Sequence, residues 1–146
     1  MEFRQAANSD KTIVVFMIGM RPNKLWKIPT IIKIGRQMAA MQTELRTQNL
    51  GCLSIENWGG RTTLSLQYWR SFEELEAYAH ASTHMKAWRE YANDGSIGVW
   101  HETYEVSSHE AVYVGMPSFG LAKAIGTVPA KGAMKSARKR IEASLK

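Results

Sequence analysis

The chain has 146 residues, enough for one domain of ordinary size. It is 45% hydrophobic and 22% charged, and its lone cysteine, Cys52, excludes an internal disulfide framework and a Cys-based zinc site. The net charge of +6 is local: residues 1–120 are balanced, and the excess comes from Lys123, Lys131, Lys135, Arg138, Lys139, Arg140 and Lys146 against Glu142, which argues against a nucleic-acid-binding body and describes a solvated basic tail.

Residues 1–11 are polar and read as a flexible N-terminus. They hold no apolar core before a cleavage site, so no signal peptide is expected. No apolar run approaches the roughly 18 residues of a membrane span, and single-cysteine usage fits a reducing, cytoplasmic compartment. Thr12–Met20 (TIVVFMIGM) is apolar on both strand faces, as in a strand covered on two sides. Arg21-Pro22-Asn23 is a turn. Thr30 can cap a helix, whose apolar face is Ile31, Ile34, Met38, Met41 and Leu45. Leu53–Trp58 and Arg61–Arg70 are strands joined at Gly59-Gly60. Leu64, Leu66, Tyr68 and Arg70 share one face of the second, and Thr63, Ser65, Gln67 and Trp69 the other.

Ser71-Phe72-Glu73-Glu74 is a capping box opening a helix that runs to about Tyr91, with Tyr78, Ala81, Met85 and Trp88 as its stripe. Ile97–Val106 is a further strand, with Trp100, Glu102 and Tyr104 alternating against His101, Thr103 and Glu105. A short strand over Ala111–Met116 follows. Residues 121–146 form a basic C-terminal tail that looks poorly packed, and its part from about Pro129 to Lys146 is expected to be dispensable for the fold. The order strand–helix–strand–strand–helix–strand over residues 12–120 is α+β: a ferredoxin-like split βαβ with a four-stranded antiparallel sheet. Its helices lie on one sheet face. A second copy is expected to cover the other, giving a homodimer and a dimeric α+β barrel.

No nucleotide, phosphate-loop, serine-hydrolase or zincin motif is present. Chemistry therefore falls to histidines, carboxylates and aromatic rings. His80 and His84 are four apart on one helix face, half of a metal site at most. His101 and Glu102 lie mid-strand on opposite faces, and either is costly to bury without a partner. Tyr68, Trp88, Trp100 and Tyr104 offer the flat surface an apolar or aromatic ligand needs. Cys52 reads as a buried small hydrophobe.

The strings Tyr68-Trp69-Arg70-Ser71-Phe72-Glu73-Glu74-Leu75, His84-Met85-Lys86-Ala87-Trp88, Val99-Trp100-His101-Glu102-Thr103-Tyr104 and Tyr113-Val114-Gly115-Met116-Pro117, with Phe119-Gly120-Leu121, carry a resemblance. They resemble the monooxygenase-like family named after a fungal fumagillin-pathway monooxygenase, of the antibiotic-biosynthesis-monooxygenase superfamily. The resemblance covers roughly residues 10 to 125. It implies a dimeric α+β barrel and an oxygenase; with the aromatic rings above, the expectation is a small monooxygenase that acts on an apolar or aromatic small molecule. Relatives in that superfamily include cofactor-free oxygenases and haem-binding enzymes, so the cofactor is expected to be none or haem.

The expected site lies between sheet and helices. His84 is the first catalytic candidate, as base or as a haem ligand. His101 and Glu102 are the alternatives for proton transfer, and Tyr68, His80, Trp88, Trp100 and Tyr104 are the substrate-binding set. The competing readings are a haem- or ligand-binding dimeric α+β barrel protein and a non-catalytic binding module.

Overall fold

The structure is a computed structural model that describes residues 3–8, 10–81, 89–90 and 95–145. Strand β1 is Arg4–Ala7 and β2 is Val14–Pro22. Helix α1 spans Ile28–Thr47, β3 Cys52–Trp58, β4 Leu64–Trp69 and α2 Phe72–Ala79. Strand β5 is Ile97–Glu105, β6 Val112–Val114 and β7 Thr127–Pro129. Two short helices complete the C-terminal part, α3 at Leu121–Ile125 and α4 at Ala137–Ser144.

The β-branched and aromatic residues of β2 favour an extended backbone. They place it centrally in an antiparallel sheet of order β3-β4-β2-β5. With α1 after β2 and α2 after β4, this is the ferredoxin-like α+β fold. Helix α1 begins two residues before the expected cap. Pro29 sits in its first turn and Lys27 at the N-cap makes no side-chain cap bond, so Thr30 is not the cap. At α2 the box forms in part. Ser71 Oγ accepts the Glu74 N–H at 3.2 Å, while the Glu74 carboxylate turns to the Arg70 guanidinium and the Ser71 hydroxyl. The expected continuation to Tyr91 falls mostly outside the described residues.

The helices bury one face of the sheet. Val14, Phe16, Ile55 and Trp69 pack against Leu45 of α1 and Leu75 of α2, and Met20 and Ile97 against Ile34. Cys52 is half-buried at the edge of the first cluster, and burial pushes its thiol up to about 11.

Both chain ends differ from expectation. β1 is the centre of a second antiparallel sheet, β6-β1-β7, so the N-terminal segment is paired on both sides. The C-terminal segment is folded as well. Leu121 and Ile125 of α3 pack with Ala7 and Ile13 and against Val15, Leu53 and Tyr68. Arg140 of α4 is 4% exposed. It donates to the Glu110 carboxylate and to the Met134 carbonyl, each at 2.8 Å. The physical reason is short-range complementarity that composition hides. Apolar side chains such as Leu121 and Ile125, with the ion pairs Lys123–Glu56 and Arg140–Glu110, dock a segment that is basic on its outer side.

Candidate functional site

Strand register decides which side chains share a face, because directly paired residues point the same way. Val15 pairs with Tyr68 on β4 and with Tyr104 on β5. Met17 pairs with Leu66 and with Glu102, and Leu66 pairs with Glu56 on β3. Gly19 pairs with Trp100, and Leu64 with Trp58. These three rows lie on the sheet face away from α1 and α2. Tyr68, Trp100, Glu102 and Tyr104 are therefore brought together on one face with Trp58 and Glu56. They do not face the helices, as the expected site would require.

Helix α3 and the loop before it cover one end of this face; the other end is open. Trp58 is 43% and Tyr104 50% exposed, and the Phe119 ring meets Trp58 edge-on at 5.9 Å. Gly19 shapes the floor. A Cβ there would overlap the Thr63 carbonyl and the Trp100 indole, so only glycine lets that ring lie across the strand. At the β5 edge, Tyr104 Oη donates to Glu102 Oε2 at 2.7 Å. That hydrogen bond holds the Tyr104 phenol above its ordinary value. The open area is thus an apolar, aromatic dish of Met17, Leu64, Leu66, Trp58 and Trp100 with a tyrosine–carboxylate pair on its rim.

The covered end is closed by polar contacts. Gly120, with φ at +53° before α3, presents the first N–H groups of that helix to the sheet. The Gly120 N–H reaches Glu56 Oε1 at 3.0 Å, and the Ala122 N–H reaches Tyr113 Oη at 3.1 Å. Lys123 Nζ is 2.8 Å from the same Glu56 oxygen. Burial opposes ionisation of Glu56, but Lys123, the Gly120 N–H and the positive charge of Arg46 outweigh it and hold the carboxyl below the usual range. Burial also raises the phenols of Tyr68 and Tyr113. Residue-by-residue reading missed Glu56. The available signal was a carboxylate inside the apolar alternation of Leu53–Trp58, where it needs partners.

The other candidates separate from this group. His101 is on the opposite face of β5, with its ring 5.7 Å from Phe16. His80 caps α2 in solvent, with Glu76 Oε1 4.0 Å from its Nε2. His84 and Trp88 lie outside the described residues. His109 is tied elsewhere, with its Nε2 2.8 Å from the Lys11 carbonyl. On the helix side, a cleft of about 370 Å³ between the end of α1 and β3 is lined by Leu45, Arg46, Gln48, Cys52 and Ile55, none of them expected site residues. Among the described residues no three His, Cys, Asp or Glu side chains converge as a metal site would need. No described helix is long and apolar enough to cross a membrane.

Comparison with known proteins joins this geometry to a family. The family model described as monooxygenase af470-like matches residues 13–121. The chain belongs to this family. The curated monooxygenase af470 of Aspergillus fumigatus is 29% identical over 117 residues, covering 70% of this chain and 42% of that protein. The chain thus spans less than half the length of the curated relative it matches. Among solved structures, a candidate antibiotic biosynthesis monooxygenase from Caulobacter crescentus matches with a TM-score of 0.52 at 8% identity, over 66% of this chain and 91% of that one. An aldoxime dehydratase in complex with butyraldoxime matches with a TM-score of 0.55 at 17% identity, over 92% of this chain and 40% of that one. Both likenesses are of fold. The second extends beyond the split βαβ unit into the terminal segments.

Proposed function

We propose that the chain is a small monooxygenase that works as a homodimer, with the open sheet face closed by a second copy and an apolar or aromatic small molecule held against it. The observation that carries the reading is the Tyr104–Glu102 pair on the rim of an aromatic dish, in a chain of a monooxygenase family. Glu102 is the proton acceptor in this reading. Its carboxylate stands on the rim of the dish, facing a substrate that lies on Met17 and Trp100. Tyr104 fixes its orientation. Trp58, Trp100, Leu66 and Met17 bind the flat substrate and keep water out.

With Glu102 as the base, the substrate class that fits is an arene bearing an activated methylene. Glu102 removes one methylene proton, and the resulting carbanion supplies the electrons to dioxygen. One oxygen atom ends as the new carbonyl. The other leaves as water with both methylene hydrogens, so no external reductant is consumed. The test is oxygen uptake with a panel of such arenes. Wild-type uptake with stoichiometric ketone, reduced by roughly 10²–10⁴ in Glu102→Gln, supports the reading. Equal rates for the two proteins overturn the role of Glu102.

A further inference from the structure

The first turn of α1 and the loop before it expose apolar side chains that nothing in the fold uses. Trp26 is 75% exposed, Leu25 54%, Ile28 59% and Ile32 49%. Ile28 and Ile32 are one helical turn apart on the outward side, while Ile31, Ile34 and Met38 face the core. The exposure is built rather than frayed. The Asn23 and Lys24 N–H groups both donate to the Ser96 carbonyl, at 2.8 and 3.3 Å. The Lys27 N–H closes back on the Lys24 carbonyl at 3.1 Å. The turn is thereby pinned on both sides, with Leu25 and Trp26 at its tip.

Charge along this stretch of the sequence is one-sided. Residues 21–43 hold Arg21, Lys24, Lys27, Lys33 and Arg36 and no Asp or Glu, in a body that is neutral only as a whole. A carboxylate reaches the rim, Glu90, 3.6 Å from Lys33, with both side chains exposed.

We propose that this tip is a docking surface for an anionic lipid bilayer, with Trp26, Leu25, Ile28 and Ile32 entering the interface and the surrounding lysines and arginines meeting acidic headgroups. An exposed tryptophan beside aliphatic residues in a basic stretch of chain is the pattern of a peripheral membrane contact. Only Trp26 among the four exposed side chains could stack on a base, and the other three are aliphatic, which favours lipid as the partner. The surface lies on the helix side of the sheet, away from the open face, so it stands apart from the proposed monooxygenase reaction.

The experiment is co-sedimentation of the full chain with phosphatidylcholine vesicles, with and without phosphatidylglycerol. Binding is expected to the anionic vesicles, to weaken with salt, and to be slight on phosphatidylcholine alone. Trp26→Ala should weaken it about tenfold by removing the largest inserted ring. Arg36→Gln should weaken it about fivefold, one surface charge. Circular dichroism melts of both variants should match wild type, since both side chains are exposed. No binding to anionic vesicles, or equal binding by Trp26→Ala, overturns the proposal. So does a change of oligomeric state in Trp26→Ala, which would make the tip a contact between copies, or retention of an RNA with the vesicle binding absent.

Discussion

Lys123 Nζ stands 2.8 Å from Glu56 Oε1, the oxygen that also accepts the Gly120 N–H at 3.0 Å. One carboxylate on β3 thus holds both the start of α3 and its basic side chain. Ser54, two residues earlier, donates its hydroxyl to the Gly120 carbonyl at 3.1 Å. The covered end of the sheet face is fastened at the backbone of a single glycine.

This fastening has a pH signature. The Glu56 carboxyl is held below its ordinary value, which is about 4.3, so its contribution to stability is present above that value and is lost as pH falls through the lower, folded one. Thermal melts from pH 7 to pH 3 should show wild type losing stability below about pH 4.5 more steeply than Glu56→Gln. At pH 7 the variant should be less stable by about 1–2 kcal/mol, the worth of hydrogen bonds to a charged group. Parallel acid curves for the two proteins would show that Glu56 does not hold α3.

The C-terminal segment should be needed for stability, contrary to its composition. Arg140→Ala deletes a side chain with 4% exposure and leaves Glu110 facing partly buried surroundings without its ion pair. Urea denaturation should show a loss of about 2 kcal/mol. Lys139→Ala breaks an exposed pair with Glu142 and should change stability by less than about 0.5 kcal/mol. Removal of residues 130–146 should lower the melting temperature by more than either. A truncated chain that melts like wild type would mean the segment is not docked in solution.

The proposed dimerisation through the open face separates positions on the two faces of the sheet. Val14 points to the helix side and is buried beside Trp69, so Val14→Lys should unfold the protein. Leu66 is in the row of Met17 and Glu102 on the open face, and Leu66→Lys should leave a folded monomer. Light scattering should give about twice 16.5 kDa for wild type and the single-chain mass for Leu66→Lys. A wild-type monomer, or a dimer unaffected by Leu66→Lys, would place the contact elsewhere.

Much of this arrangement was readable in the chain. The two-sided apolar character of Val14–Ile18, the 3-4 spacing of Ile31, Ile34, Met38, Met41 and Leu45, and the alternation in β4 and β5 each follow from local periodicity and fix the split βαβ order. Of the proposed site, the sequence offers candidate side chains but not their common face. Alternation sets Glu102, Tyr104 and Trp100 against His101, but it does not say which face the helices take; that follows from Leu45 and Leu75 packing on Phe16 and Trp69. The docking of α3 and α4 was not legible. It depends on pairs far apart in sequence, Glu56 with Lys123 and Glu110 with Arg140, which no local pattern announces.

The proton acceptor can be assigned by comparing three substitutions in the oxygen-uptake assay. Tyr104→Phe keeps the ring on the dish and removes the donor to Glu102, so substrate binding should persist while turnover falls about tenfold, the cost of a looser acceptor. Tyr104 must keep its proton to hold Glu102, and its phenol sits above the ordinary value near 10. Wild-type activity should therefore persist past pH 10 before declining, and that alkaline limb should be absent in Tyr104→Phe. His84→Ala, the substitution favoured by sequence reasoning, should leave turnover within about twofold if Glu102 is the base. A loss of 10²–10⁴ in His84→Ala, with Glu102→Gln and Tyr104→Phe near wild type, would return the chemistry to the space between sheet and helices.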